Sequence, residues 1–316
     1  MLNIPDRVLS ELAGRENILL VGAGGSFDII ACMPLYYTLA KQFDVNIHLA
    51  NYSFVHFSEL PQLCKTEVFE PSIHGATNKI INETNHFPEG MISRFFKEGF
   101  QQERVVWMIE NKQSITQLHQ SYSRLIKHLG IDAVIACGFG MRSIMQGNEQ
   151  ECGDMLHTTV NLGAISKILD IPTVLMTIGH EAQGKKPVSL NSALENISNL
   201  NRQDAYLGGL MLEKSMQSYE FMKSLVVWMF QDTPHDKFEL IEAIIGSVEG
   251  GIGNFKEGTY ASPLMAQCHF FDLPFVMTSN QILPTLEAVE DYGTLVQHGM
   301  SLIQGNKQRV TKFLQI

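Results

Sequence analysis

Residues 17–28 read NILLVGAGGSFD, and this stretch decides the fold class. Residues 17–21 are an apolar run bounded by turn formers, the pattern of a buried strand. Gly22, Gly24 and Gly25 follow at once. Residues 28–43 then carry apolar side chains nearly all round (Ile29, Ile30, Met33, Leu35, Tyr36, Leu39), which predicts a buried helix that Pro34 kinks or delays. Residues 45–50, VNIHLA, read as a second strand. Strand, glycine turn, helix and strand make a βαβ unit, whose crossover is right-handed.

The same alternation continues outward. A short helix over residues 5–12 precedes the first strand. Strands are predicted at 104–109, 133–136, 173–177 and, interrupted by Pro274, at 266–277; helices at 115–128, 155–169, most of 190–243 and from 285 onward. Residues 52–102 hold Pro61, Pro71 and Pro88 and read as loops and short helices, an insertion or a lid. No composition break divides the 316 residues, so the expectation is one large α/β domain, a Rossmann-like three-layer sandwich with a mostly parallel sheet. In such sheets ligands sit beyond the carboxyl ends of the strands. That rule selects the loops after residues 21, 50, 109, 136 and 177.

Composition bounds the partners. Lys and Arg number 23 against 33 Asp and Glu, a formal charge of −10, which disfavours bulk attraction to nucleic acid or anionic membrane. No apolar run approaches the roughly 20 residues of a membrane span. The five cysteines show no CxxC spacing, and an odd number of scattered thiols suits a reducing compartment. With no signal-like apolar core near residue 1, the expectation is a cytoplasmic protein. No histidine pair has metal-ligand spacing such as HExxH, so no metal site is assigned, and the cofactor is left unknown.

Four segments could carry chemistry. Gly22, Gly24, Gly25, Ser26 and Asp28 either cradle an anion with backbone N–H groups or form a tight turn in which Ser26 or Asp28 caps the helix. The dinucleotide pattern GxGxxG is only partly met, because Phe27 stands at the third glycine, and the ribose-binding acid expected after the second strand is Asn51. In residues 51–54, Asn51-Tyr52-Ser53-Phe54, a polar group and an aromatic hold a sugar or base, or else the segment forms an Asx turn. In residues 137–149, CGFGMRSIMQGNE, Gly138 and Gly140 let the backbone approach a ligand, Arg142 clamps a carboxylate or phosphate and Ser143 orients it. Glu149 is there to act as a base or bind a hydroxyl; the plainer alternative pairs it with Arg142 as a structural ion pair. His180 and Glu181 follow the strand at 173–177, with His180 as acid/base equipment or as a structural histidine, and Glu181 beside it. The glycines at 246–253 more simply end a helix. Met211, Met222 and Met229 are assigned to one helical face, core or subunit interface.

Several short motifs recur in a recognisable order: ILLVGAGGSFDII, ANYSF, HFPEG, IDAVIACGFGMRSIMQGNE, AYLGGLMLEKS and SPLMAQCHFFDL. Over most of its length the chain resembles the domain of unknown function 1152 family. The resemblance implies no reaction that can be carried over. That family's central loop typically reads Asp-Gly-Gly-Thr-Asp-Ser, then Gly-Asp-Glu. Ser143, Gly147 and Glu149 match it, whereas Gly138, Arg142 and Asn148 replace its acids. An arginine in place of an acid favours an anionic ligand.

The leading expectation is a cytoplasmic α/β protein, enzyme or not, that binds a small anionic ligand, nucleotide-like or a sugar phosphate. Glu149 and His180 are its candidate proton carriers. One alternative is a non-enzymatic ligand-binding or regulatory protein with a degenerate site. The other is an NAD(P)-dependent oxidoreductase, disfavoured by Phe27 and Asn51. A low fraction of charged residues, 18%, and methionine-rich helices favour a homo-oligomer, most simply a two-fold dimer.

Overall fold

A computed structural model describes residues 1–81, 87–179, 188–231, 239–254 and 260–313. In chain order the elements are α1 Asp6–Leu12, β1 Asn17–Gly22, a 3-10 turn Ser26–Cys32, α2 Met33–Gln42, β2 Asn46–Ser53, α3 Leu60–Leu63, β3 Cys64–Glu70, β4 Ile73–Ile80, α4 Pro88–Phe100, β5 Val106–Glu110, α5 Ile115–Leu129 and β6 Ala133–Phe139. A second 3-10 turn, Arg142–Ile144, leads to α6 Leu156–Ile165, β7 Thr173–Ile178, α7 Leu190–Arg202, β8 Tyr206–Met211, α8 Gln217–Phe230 and α9 Glu239–Val248. Then come β9 Gly253–Asn254, β10 Tyr260–Ala261, a 3-10 turn Pro263–Ala266, β11 Gln267–Asp272, α10 Leu273–Thr278, α11 Leu283–Glu287 and α12 Tyr292–Phe313.

Nine strands form one mixed sheet in the order β3-β4-β5-β2-β1-β6-β7-β11-β8. The five central strands, β5 to β7, pair in parallel; β4 and β3 at one edge and β11 and β8 at the other are antiparallel. The chain leaves β1 toward β2 on one side and returns to β6 on the other. The switch point therefore falls between β1 and β6.

Strand period 2 divides the core between the two faces of the sheet. Ile18, Leu20, Ile47, Leu49, Ile135 and Cys137 point to one face, among residues from α1, α2, α4, α8 and α9. Leu19, Val21, Ala50, Val134, Ala136 and Leu175 point to the other, among α5, α6, α7 and α10. This double burial makes the central strands read as continuous apolar runs. Helix boundaries follow local chemistry. A capping box of Ser114 and Gln117 starts α5, and Gly130 ends it at φ 63°. Pro34 sits in the first turn of α2, so the α-helix is delayed and residues 26–32 wind as a 3-10 turn instead.

Three readings of the sequence are corrected. Residues 190–243 are not one helical stretch: β8 interrupts them, so Met211 ends a strand and shares no helix with Met222 and Met229, which are buried in the core. Residues 64–80 are not loops and short helices but a hairpin that extends the sheet. Residues 266–277 split into β11 and α10, with Pro274 in the helix's first turn, where its missing N–H costs nothing. Among the described residues no helix is long and apolar enough to cross a membrane.

Candidate functional site

At the switch point, beyond the carboxyl ends of β1, β2 and β6, lies an open cleft of about 480 Å³. Gly24, Gly25, Ser26, Phe27 and Asp28 form one lip, Phe54 follows β2 and Phe139 ends β6, and Arg142, Asp154, His157 and Thr158 close the far side. Leu240 and Ile241 of α9 add an apolar patch.

The glycine turn is held from below by two buried asparagines. Asn161 of α6 donates its amide to the carbonyls of Gly22 and Ala23, both at 2.9 Å, and accepts from the Tyr122 hydroxyl at 2.7 Å. Asn51, at the end of β2, donates to the Ser26 carbonyl at 2.8 Å and to Glu89 Oε1 at 2.9 Å. Gly25 adopts φ 77°, and a Cβ there would collide with the Tyr52 carbonyl and the Phe54 ring. Only glycine fits so close to β2. Ser26 next to it takes φ 51°, a left-handed conformation uncommon outside glycine.

Asp28 is the centre of the site. Its side chain is 5% exposed. Oδ2 accepts from the Gly24 N–H at 2.8 Å, and Oδ1 from the Phe139 N–H at 3.3 Å. Arg142 Nη2 lies 2.7 Å from both carboxylate oxygens. Arg142 Nε donates to the Thr158 hydroxyl at 3.2 Å. One guanidinium thus ties the β1 turn, the β6 loop and the start of α6 together. Its Nη1 makes no hydrogen bond with a described residue, and the side chain keeps 27% of its surface exposed. On the opposite wall the Phe54 ring meets the His157 ring edge to face, with centroids 4.9 Å apart, and stands 5.7 Å from Tyr52.

A second carboxyl is buried behind the turn. Glu89, in the first turn of α4, is 1% exposed. Burial pushes its pKa above the usual carboxylate range, and hydrogen bonds from Asn51 and Ser53 offset part of that rise. The thiol of Cys137, under Asp28, is pushed well up by burial, with Cys32 and Asp28 adding to it; all five cysteines are buried thiols. Buried thiols of this kind are poor nucleophiles.

The residues singled out in the sequence fall into three groups. Gly24, Gly25, Ser26, Asp28 and Arg142 line the cleft. Gly22, Asn51, Gly138, Gly140, Ser143 and Glu149 do not, and several support its frame. Gly138 packs under Ala23, and the Gly140 N–H donates to the Ile178 carbonyl at 2.7 Å. Ser143 is buried, with its hydroxyl unpartnered among the described residues. Glu149 folds its own loop: its oxygens accept from the N–H groups of Gln146 and Gly147, both at 2.7 Å, and from the Asn196 amide at 2.9 Å. It pairs with backbone rather than with Arg142, whose counter-charge is Asp28. His180 and Glu181 lie outside the described residues.

Sequence reading missed Asp154, His157 and Thr158, at and just before the start of α6. Their neighbours in the cleft come from β1, β2 and β6, and no local pattern announces them. The only available signal was their place in the polar stretch that leads into an apolar helix. No family model matches this chain, and no curated protein matches it.

Proposed function

We propose that the cleft between β1 and β6 binds a small molecule that carries an anionic group, nucleotide-like or a sugar phosphate. One observation carries this reading: Arg142, on the cleft wall, is anchored by Asp28 and Thr158, yet its Nη1 has no partner among the described residues. A guanidinium fixed on two sides is preorganised for a carboxylate or phosphate on the third. Because Asp28 already balances its charge, the group is selected by hydrogen-bond geometry more than by bulk attraction. The exposed ring of Phe54 gives a planar portion of the ligand an apolar contact. The left-handed Ser26 at the lip is the kind of backbone strain that clusters at ligand sites.

Binding without catalysis is the second reading, favoured by the full engagement of Glu149 with its own loop. If proton transfer occurs in the cleft, His157 and Asp154 are the side chains on its wall to perform it. The dinucleotide reading is weakened further, since Asn51 is buried and its amide is committed to Ser26 and Glu89. The Rossmann-like three-layer description, the cytoplasmic location and the homo-oligomer belong to the same proposal. Membership of the domain of unknown function 1152 family rests on the short motifs alone.

The test is a thermal-shift screen with nucleoside phosphates, sugar phosphates and dinucleotides, repeated on Arg142→Lys and Phe54→Ala. Lysine keeps a cation beside Asp28 but loses the fork. A stabilising ligand should bind at least tenfold more weakly to Arg142→Lys, about 1.4 kcal/mol. A screen without any stabilising anion, or a hit indifferent to both substitutions, removes the proposal.

A further inference from the structure

The two walls of the cleft differ in kind. On one side Phe27, Phe139, Leu240 and Ile241 belong to, or pack against, the apolar core under α8 and α9. On the other, Asp154, His157 and Thr158 come from the start of α6, with Arg142 bonded to Thr158. The glycine turn runs between the walls, and its two consecutive glycines set how far apart the chemistry lies. A Cβ on Gly24 would stand 3.2 Å from Arg142 Nη2, and a Cβ on Gly25 would stand 2.6 Å from Phe54 Cε2. The guanidinium and the Phe54 ring therefore flank neighbouring residues, whose Cα atoms are about 3.8 Å apart. Phe54 is 40% exposed, whereas Phe139 is buried. Its ring is nonetheless held in place by two near-perpendicular neighbours, Tyr52 at 85° and His157 at 81°.

Each wall asks something different of a ligand. A polar group turned toward the apolar wall loses its hydrogen bonds to water and gains none in return. A sugar phosphate carries a hydroxyl on nearly every carbon, so it cannot cover this wall without stranding some of them. A flat ring can lie against the wall and against Phe54, with an anionic group turned to Arg142 and the polar side. Covering Phe54 costs little ordering, because the ring is already fixed before a ligand arrives. The closeness of guanidinium and ring sets the length of the ligand: its charge and its ring must be joined through a few bonds. We propose that the ligand of this cleft is an aromatic oxyanion, a ring system linked by a short spacer to a phosphate or carboxylate, as in a nucleoside monophosphate. This inference rests on the reading that Arg142 receives the anion, and it excludes the sugar phosphate.

Matched probes separate the ring from the charge. Adenosine 5′-monophosphate and ribose 5-phosphate share a phosphorylated ribose, benzoate and acetate share a carboxylate, and within each pair the ring is what differs. Calorimetric titration of the full chain should show, in at least one pair, that the ringed member binds about tenfold tighter or more. The pair that does so tells phosphate-type from carboxylate-type recognition. Phe54→Leu keeps apolar bulk but loses the ring, and should weaken the ringed member about threefold or more. Phe54→Tyr should restore its affinity. Leu240→Ser, on the apolar wall, should weaken the ringed member and spare the other. Arg142→Lys should weaken both. Circular dichroism reports that each variant is folded, and the comparison within a pair needs no variant at all. Equal affinities within both pairs, or a ringed member indifferent to Phe54→Leu, overturn the aromatic inference; if binding still falls in Arg142→Lys, the anion reading stands without it. Binding of none of the four probes removes both.

Discussion

Arg142 and Arg104 stand at opposite ends of the same parallel strands, and they are held in opposite ways. Arg142 follows β6 and is locked to a buried carboxylate, with a threonine hydroxyl on its other side. Arg104 precedes β5 and rests on an aromatic ring, with no counter-charge among the described residues. The first guanidinium is part of the frame and lends only one nitrogen to a ligand. The second contributes little to the frame and keeps its donors. A charged side chain's exposure alone does not separate these cases. What separates them is how many of its hydrogen bonds the fold itself consumes.

The sharpest way to break this contrast is Asp28→Ala. It removes the carboxylate that accepts from Gly24, Phe139 and Arg142 together. It also leaves a largely buried guanidinium unpaired. Breaking one half of such a pair costs roughly 3–5 kcal/mol, and the upper part of that range is reduced because Arg142 keeps 27% of its side-chain surface in solvent. Urea denaturation should show a lower midpoint with an unchanged slope. A loss under about 1 kcal/mol would mean that the pair is not structural and that both arginines are equally free.

How far the sequence could be read depends on whether the signal was local. The apolar runs of β1, β6 and β7, the glycine turn and the capping box of α5 each lie within a dozen residues, and all are legible by eye. β8 was lost because Gly208 and Gly209 dilute its apolar pattern, and because it exists by pairing with β11, some 60 residues later in the chain. β3 was lost because it lies at the sheet edge and buries few side chains, so it shows no strong alternation. The cleft was half legible. Strand ends selected the Asp28 and Arg142 loops, but not that the two residues, 114 apart, would pair with each other. Their pairing is what turns Arg142 from a free clamp into a framed one. The place of Glu149 outside the cleft was illegible for a related reason: the backbone groups it satisfies were visible only once the loop was folded.

Glu89 tests the cleft end by pH. Its carboxyl is buried against Asn51, which in turn holds the Ser26 carbonyl. Its pKa is raised in the folded protein by burial. A raised carboxyl pKa means that the native state holds the proton more tightly than the unfolded chain. The stabilisation is therefore complete below the ordinary glutamate pKa, about 4.3. It is lost as pH rises through the folded value. Glu89→Gln keeps the shape and cannot ionise. Relative to the parent, its stability should improve as pH rises above about 4.3 and level off once Glu89 ionises in the folded protein. A parent-minus-variant difference that is flat across this range would show that Glu89 is ionised and satisfied in the native protein, and the cleft end would then carry two buried negative charges instead of one.

The smallest effect is expected at the other arginine. Arg104→Gln gives up the contact with the Tyr36 ring, worth about 0.5–1 kcal/mol for a partly exposed pair. It leaves no carboxylate stranded, because the Glu103 carboxylate is engaged with Lys97. The backbone anchor from the Ser93 hydroxyl to the residue 104 carbonyl survives the change. The loss of stability should therefore stay below about 1 kcal/mol. Asp28→Ala should cost several times more. Near-equal losses at the two ends would mean that Arg104 is as deeply built into the frame as Arg142. In that case an uncommitted guanidinium could not be read from its missing partners, because the ring beneath it would be supplying the stability that a carboxylate supplies at the cleft.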